Sequence, residues 1–172
     1  MTSRLIIGFL FGLAGCTEER VPQDLFDLFD WREATADQDP FPDRPANVQC
    51  PTSSRVIEIE EEELFLEIDT LLCSYVTLYQ ETKAEIFAGD TVIFPWGHRE
   101  LVSPDPGQGH VALLVDGISI EDRSVDIPAL EMDTVVEVEV QEDVEKGSPM
   151  WLHLHNHGAN QWLFYTAQIQ PM

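Results

Sequence analysis

Positive charge is scarce in this sequence. Nine Lys and Arg residues accompany 32 Asp and Glu residues, which gives a formal net charge of −23. A surface this negative repels phosphate groups, so nucleic acid is excluded as a partner. Cationic partners, metal ions and neutral sugars remain compatible with the charge. An acidic surface also keeps a protein in solution, which explains the composition without any specific cationic ligand.

Sequence motifs of common enzymes are also missing. Ser103, Ser119 and Ser148 lie in no nucleophile-elbow context, and no glycine-rich phosphate loop occurs. The acidic run at 60–63 is typical of a solvated strand edge and not of paired catalytic carboxylates. A histidine cluster could support metal-assisted hydrolysis, but the sequence identifies neither a free coordination position nor a base. A non-enzymatic role is therefore favoured.

Only one long apolar run is present, and it lies at the start of the chain. Arg4 supplies a short positive region, residues 5–13 are apolar, and Ala14 and Gly15 are small. This pattern predicts a secretory signal peptide over residues 1–15, too short to span a bilayer. No later stretch reaches membrane-spanning length, so we expect the chain after Cys16 to be soluble.

The end of this signal resembles the lipobox of bacterial lipoproteins. Cys16 directly follows Leu13-Ala14-Gly15. The resemblance implies that Cys16 carries fatty acyl chains such as palmitate and becomes the mature N-terminus, held stably to a membrane. Thr17, in place of Asp, implies an outer-membrane lipoprotein of the bacterial envelope that faces the periplasm or the cell surface. A plain signal peptide with a chance cysteine is the alternative.

Cysteine is rare, with three residues in all. If Cys16 is acylated, Cys50 and Cys73 remain as an even pair in an oxidising compartment, where disulfides persist. We predict that they are bonded, which is worth about 3 kcal/mol in the chain-entropy model. A thiolate metal site lacks its usual close spacing, and two separate buried thiols are the remaining alternative.

Residues 16–49 are predicted to form the lipidated cysteine and a flexible, acidic, proline-rich tether. Asp and Pro are frequent at 37–45, and no hydrophobic period is sustained there. Residues 25–31 interrupt the pattern with apolar side chains at helical spacing. They predict either one or two helical turns docked on the following domain or a short linear motif for a partner.

Residues 50–172 predict an all-β domain, a single antiparallel, jelly-roll-like β-sandwich. Short alternating runs are separated by turn residues, and the clearest run, at 136–140, places Val on one face and Glu on the other. Asp116-Gly117 is a strong hairpin signal. Further strands are expected at 64–68, 75–79, 91–94, 110–115 and 162–169. A domain of roughly 120 residues is large enough for one core.

The histidines are the unusual feature of this domain. A strand at 151–157 would place Trp151 and three imidazoles on one face, and Leu152 and Leu154 on the other. Trp96 and His98 leave an earlier strand at matching parity. We therefore expect three chain-distant segments to converge on one surface, formed by Trp96, His98, His110, Trp151, His153, His155 and His157.

Three interpretations of this surface stay open. The histidines at 98, 110, 153, 155 and 157 could bind Zn or Cu, with His98 or His110 completing the site. Alternatively, the tryptophans stack on sugar rings while histidines and the amides of Asn156, Asn160 and Gln161 bind hydroxyls. In the third interpretation the histidines satisfy one another and the backbone, and their role is structural.

Residues 72–170 resemble the galactose-binding-type jelly rolls of carbohydrate-binding modules. The resemblance is carried by Ala88-Gly89-Asp90 before a strand, by a central hairpin at 109–117 and by the terminal pair around 156–162. The resemblance implies a binding domain for carbohydrate or another small ligand. Together with the lipobox and the missing enzyme motifs, we expect an envelope-anchored, non-enzymatic binding or structural domain, with no cofactor. An envelope protein is a further candidate partner, and a Zn- or Cu-binding lipoprotein is the alternative function.

Overall fold

The structure, a computed structural model, describes residues 19–172. The signal peptide expected at 1–15 and the lipid attachment expected at Cys16 lie outside the described residues. Two antiparallel sheets pack face to face around one hydrophobic core, which confirms the predicted all-β sandwich. Across residues 19–172, no helix has the length and apolar character needed to cross a membrane.

Twelve strands and two short 3-10 helices make up the described part of the chain. The strands are β1 (Gln23–Asp24), β2 (Arg32–Glu33), β3 (Arg55–Glu60), β4 (Glu63–Asp69), β5 (Tyr75–Glu81), β6 (Thr91–His98), β7 (Gly107–Val115), β8 (Ile118–Ile127), β9 (Met132–Glu139), β10 (Pro149–His155), β11 (Gln161–Tyr165) and β12 (Gln168–Gln170). The 3-10 helices span Leu28–Asp30 and Thr52–Ser54.

The strands divide into a seven-stranded and a five-stranded sheet. The seven-stranded sheet follows the order β1-β12-β6-β11-β4-β3, with β9 on the other side of β6. The five-stranded sheet follows the order β2-β5-β10-β7-β8. β11 and β12 share one edge of β6, because Phe164 pairs with Trp96 and Ile169 pairs with Val92. The single strand predicted at 162–169 is therefore two strands.

Two tight hairpins differ in how well their sequences suit the turn. Asp116 and Gly117 join β7 to β8 with φ angles of 50° and 84°, which confirms the predicted hairpin. Glu61 and Glu62 join β3 to β4 with φ angles of 51° and 75°. Positive φ favours Gly, Asn and Asp, so the glutamate pair occupies an unfavourable backbone region. The acidic run at 60–63 is thus a hairpin turn.

The core has the periodicity that the sequence predicts. Val136 and Val138 of β9 pack against the buried cluster, while Glu137 and Glu139 face solvent. Cys73 is fully buried and bonded to Cys50, so the predicted disulfide is confirmed. The bond connects the segment before β3 to the loop between β4 and β5.

Residues 19–49 do not form the flexible tether that their composition predicts. β1 pairs with β12 and β2 pairs with β5, so this segment adds an edge strand to each sheet. Leu25, Phe26 and Leu28 are buried, and the Phe26 ring lies 5.1 Å from that of Trp31. The predicted docking of residues 25–31 is confirmed. A few apolar anchors hold the segment, although acids and prolines dominate its composition.

One buried carboxylate joins both ends of the described chain. Asp90 is 0% exposed and accepts two hydrogen bonds of 2.6 Å from the Arg20 guanidinium. The backbone N–H groups of Phe87 and Met172 donate to the same carboxylate. The Arg20 hydrogen bonds, despite burial, keep the pKa of Asp90 below its usual range. Asp90 therefore fastens the N-terminal and C-terminal segments to the start of β6.

Candidate functional site

The outer face of the five-stranded sheet carries part of the predicted histidine surface. β10 places Trp151, His153 and His155 on this face, while Leu152 and Leu154 enter the core. His110 lies on the neighbouring β7, directly opposite His155, and its ring centroid is 5.1 Å from that of His153. The predicted alternation along β10 is therefore confirmed.

Trp96 and His98 do not join this surface. Both lie on β6 of the other sheet and are buried inside the sandwich. The indole N–H of Trp96 donates to Glu121 at 3.0 Å, and the His98 ring packs on Trp162 at 5.1 Å between centroids. Matching parity correctly predicts that they share a face. It cannot distinguish an inner face from an outer one, or one sheet from the other.

His157 is at the margin of the histidine surface. It follows the end of β10 and is exposed, with its ring centroid 5.1 Å from that of His155. The sequence places it on the same strand as His153 and His155, but the strand ends at His155.

A segment of the chain covers the histidine surface. Residues 35–45, here called the cover segment, lie across β10. The indole N–H of Trp151 donates to the Gln38 carbonyl at 2.8 Å, and Phe41 stacks on His153 at 4.0 Å between ring centroids. Asp43 lies 2.9 Å from Nδ1 of His155. The Trp and His side chains are thus engaged by the protein itself and do not form an open platform.

A buried ionic network holds the cover segment in place. The Asp39 side chain is 1% exposed and accepts hydrogen bonds from Arg44 at 2.7 Å and from the Tyr75 hydroxyl at 2.9 Å. The backbone N–H of Phe41 also donates to Asp39. Burial alone would raise the pKa of Asp39, but these hydrogen bonds, led by that of Arg44, hold it below its usual range. The network favours the ionised carboxylate.

His153 is the most deeply enclosed member of the surface. It is 0% exposed, and its Nδ1 lies 3.0 Å from the Thr77 hydroxyl. Its Nε2 is buried without a hydrogen-bond partner among the described residues. Burial, followed by the proximity of His110, lowers the pKa of His153 to about 3. His153 is therefore a neutral imidazole at physiological pH.

Asp43, His110 and His153 together form a compact group of ligand atoms. One atom from each residue lies within 4.8 Å of the others. A cleft of about 300 Å³ opens beside the group, and its lining includes Gln108 and Ser124. Asp43 was not predicted, because it lies in a proline-rich stretch whose acidic residues give no signal of a site. His98, His155 and His157, which the sequence also offered as metal ligands, do not belong to the group.

The outer face of the seven-stranded sheet is open and carries a groove. The groove encloses about 700 Å³. Its lining residues are Glu63, Leu64, Ile93, Pro95, Trp96, Asp133, Thr134, Val135, Tyr165, Thr166 and Gln168. None of them belongs to the predicted histidine surface except Trp96, whose side chain points into the core. In the sequence, the alternation that identified β9 also marked its outer residues as a solvated acidic face.

Arg99 forms two ion pairs on the same sheet as this groove. Its guanidinium contacts Glu60, at the end of β3, and Glu131, just before β9, at 2.5 and 2.7 Å. β3 and β9 are at opposite edges of the central part of the sheet, so both edges curve toward this face. The side chains of all three residues are well exposed. Arg99 therefore links the β3 and β9 edges of the sheet just beyond the end of β6.

Tyr165 supplies the partly exposed aromatic ring of the groove. Its ring packs 5.5 Å from that of Phe65, its cross-strand partner on β4, which is buried. Burial, and then the carboxylates of Asp133 and Glu63, raise the pKa of Tyr165. No lining residue is basic. The groove thus combines an aromatic surface, carboxylates, hydroxyls and an amide under a negative potential.

Comparisons with known proteins bear on the fold only. No family model matches the chain, and no curated protein matches it. Among solved structures, a family 11 carbohydrate-binding module from Clostridium thermocellum, in complex with a β-1,3-1,4-mixed-linked tetrasaccharide, is similar. It is 10% identical, with a TM-score of 0.43, over 88% of this chain and 97% of that one.

Two further solved structures match with slightly lower TM-scores. TmCBM61 in complex with β-1,4-galactotriose is 16% identical, with a TM-score of 0.39, over 71% of this chain and 77% of that one. An exo-β-agarase is 13% identical, with a TM-score of 0.38, over 74% of this chain but only 23% of the enzyme. No residue of this chain takes a role from these structures.

Proposed function

We propose that the sandwich is a non-catalytic binding domain for neutral carbohydrate and that the groove is its binding site. The observation that carries this proposal is the placement of Tyr165, whose ring lies beside Asp133 and Glu63 in an open groove of about 700 Å³. This volume falls within the range of roughly 300–1,000 Å³ that is typical of small-ligand sites.

The side chains of the groove match the chemistry of a sugar. The apolar C–H face of a pyranose packs on an aromatic ring, and Tyr165 offers such a ring. The carboxylates of Glu63 and Asp133 accept hydrogen bonds from hydroxyl groups, and the Gln168 amide donates as well as accepts. Negative potential disfavours anionic ligands such as uronic acids or phosphates. A neutral sugar has an apolar face for the ring, hydroxyl groups for the carboxylates and the amide, and no negative charge to be repelled.

The histidine surface supports this function less well. Carbohydrate binding there would require open Trp151, His153 and His155 side chains, whereas the cover segment engages all three. The groove needs no such rearrangement, because it is open in the folded chain. The proposed sugar site therefore lies on the sheet opposite to the one that the sequence favours.

A substitution in the groove tests the proposal. The full chain, purified in detergent, is titrated with neutral gluco- and galacto-oligosaccharides and with an oligouronate as the anionic comparison. Tyr165→Ala should weaken binding of the best neutral sugar by about 30-fold, the effect of losing a central aromatic contact worth about 2 kcal/mol. Tyr79→Ala is the matched control, because Tyr79 packs on Trp151 on the opposite sheet.

Two results would contradict the carbohydrate proposal. One is the absence of binding to every neutral sugar at millimolar concentration. The other is an equal loss of affinity in Tyr165→Ala and Tyr79→Ala. Preferential binding of the oligouronate would contradict the role given to the negative potential.

We further propose that the domain is anchored to a bacterial membrane through Cys16. The signal-like pattern of residues 1–15 and the small residues before Cys16 support this location. Metabolic labelling with palmitate should mark the wild-type chain and not Cys16→Ser, and the variant should leave the membrane fraction. Equal labelling of the two chains would refute the anchor, and this result is independent of sugar binding.

A further inference from the structure

The group of Asp43, His110 and His153 joins three separate parts of the chain. Asp43 belongs to the cover segment, His110 to β7 and His153 to β10, and their ligand atoms lie within 4.8 Å of one another. A Zn²⁺ ion with bonds of roughly 2.0–2.1 Å needs its ligands about 3.4 Å apart. Closure to this distance requires movement of the exposed Asp43, which also contacts His155, and of the partly exposed His110.

The surrounding hydrogen bonds prepare both imidazoles to bind a metal. The Thr77 hydroxyl lies 3.0 Å from Nδ1 of His153, which leaves Nε2 available. Asp122 lies 2.8 Å from Nε2 of His110, which leaves Nδ1 available. Metal-binding histidines usually give their second nitrogen to an oxygen acceptor of this kind, because it fixes the tautomer and the ring orientation.

The buried Nε2 of His153 is an independent indication of a missing ligand. Within residues 19–172 it has no hydrogen-bond partner, although the residue is 0% exposed. A buried polar atom without a partner destabilises the fold, and such atoms are uncommon in folded proteins. A bound cation would satisfy this nitrogen. The cleft of about 300 Å³ beside the group is lined by Asp43 and His110, so two of the three residues are accessible from solvent.

We propose that Asp43, His110 and His153 bind one divalent transition-metal ion of the zinc type, which fastens the cover segment to the five-stranded sheet. Two imidazoles and a carboxylate favour Zn²⁺ over Mg²⁺ and Ca²⁺, which prefer oxygen ligands alone. The net charge of −23 attracts cations generally. This site is independent of the proposed sugar groove.

Zinc titration of the full chain tests the proposal. The protein is stripped with a chelator, and Zn²⁺ is added at 0.15 M salt with excess Mg²⁺ to occupy exposed carboxylates. We expect one Zn²⁺ per chain. His110→Ala and the conservative Asp43→Asn should each weaken its binding at least 10-fold. His157→Ala is the matched control, since this exposed histidine lies outside the group, and it should bind Zn²⁺ as the wild type does.

Hydrogen exchange of the cover segment separates ligand loss from misfolding. Zn²⁺ should slow amide exchange at residues 35–43 in the wild type and in His157→Ala, but not in His110→Ala. Exchange in the core strand β6 should be the same in all three chains without metal. The proposal is overturned if no stoichiometric Zn²⁺ binds, if His110→Ala and Asp43→Asn bind normally, or if His157→Ala loses as much affinity as they do.

Discussion

The two outer faces of the sandwich are opposite in character. The face of the five-stranded sheet carries Trp and His side chains, and residues 35–45 cover it through stacking, hydrogen bonds and the buried Asp39–Arg44 pair. The face of the seven-stranded sheet is acidic and open, and Arg99 crosses it through exposed ion pairs. Side chains that look suited to display can thus serve the fold, whereas a face that looks merely solvated can form the groove.

The physical reason lies in the dual nature of His and Trp side chains. Each has an apolar body and a polar edge, so it can bury a ring against its own chain while its N–H finds a partner. Trp151 does this with the Gln38 carbonyl, and His155 does it with Asp43. A covering segment that brings carbonyl and carboxylate oxygens satisfies these groups as well as an external ligand would.

Removal of the buried carboxylate should open the covered face and leave the groove intact. Asp39→Ala leaves Arg44 and the Tyr75 hydroxyl without their shared partner, and we expect a loss of about 3 kcal/mol in the free energy of unfolding. Urea denaturation measures the loss. Asp37→Ala, an exposed acid in the same segment, should cost less than about 0.5 kcal/mol. A similar loss in both variants would show that the network is not what holds the cover segment.

A fall in pH should change the stability contributed by the two faces in opposite directions. The pKa of Asp39 is lowered, so its stabilising effect is present above its unfolded pKa and is lost as the pH falls through its folded value. The pKa of Glu67, on the open face, is raised by burial and by Glu58. The protonated form of Glu67 therefore favours the folded state at low pH, and this contribution to stability is lost as the pH rises.

Matched amide variants measure these two effects. At pH 7, Asp39→Asn should be less stable than the wild type and Glu67→Gln slightly more stable, and both differences should shrink by pH 3. Both effects should be smaller than that of Asp39→Ala, because the amides keep a hydrogen-bond acceptor. The comparison fails if the two variants differ from the wild type in the same direction at pH 7.

The smallest effect on stability is expected at the exposed ion pairs of Arg99. Arg99→Gln removes both ion pairs of Arg99, but their side chains are 39–57% exposed and screened by solvent. We expect a change of less than about 1 kcal/mol in the free energy of unfolding, against about 3 kcal/mol for Asp39→Ala. Thermal melting of both variants at low and high salt provides the measurement. A larger loss in Arg99→Gln than in Asp39→Ala would reverse the ranking of the two faces.

Much of the fold could be predicted from local pattern. Alternation identified β9 and the two faces of β10, and Asp116-Gly117 identified the hairpin between β7 and β8. Cysteine parity predicted the bond between Cys50 and Cys73. These features depend on period, turn chemistry and compartment, which a sequence carries locally.

The candidate sites depended on information that is not local. Trp96 and His98 share a face as predicted, but the pairing of β6 with β9, β11 and β12 turns that face into the core. Asp43 reaches the histidines because residues 25–31 dock on the sandwich and bring the following segment to β10, and composition gave no sign of its role. Tyr165 lies beside Glu63 of β4 and Asp133 of β9 because of the order of the strands in the sheet. Long-range pairing of strands decided each of these outcomes.

The Arg20–Asp90 pair has a consequence for how the domain would stand on a membrane. Four peptide steps, about 14 Å at full extension, separate Cys16 from Arg20. If Cys16 carries a lipid, Arg20, and with it the Asp90 end of the sandwich, is held within this reach of the lipid. β6 then rises from that end for about 26 Å, since each of its residues adds roughly 3.3 Å. Ile93 would then lie nearer to the lipid than Arg99, which follows the opposite end of β6.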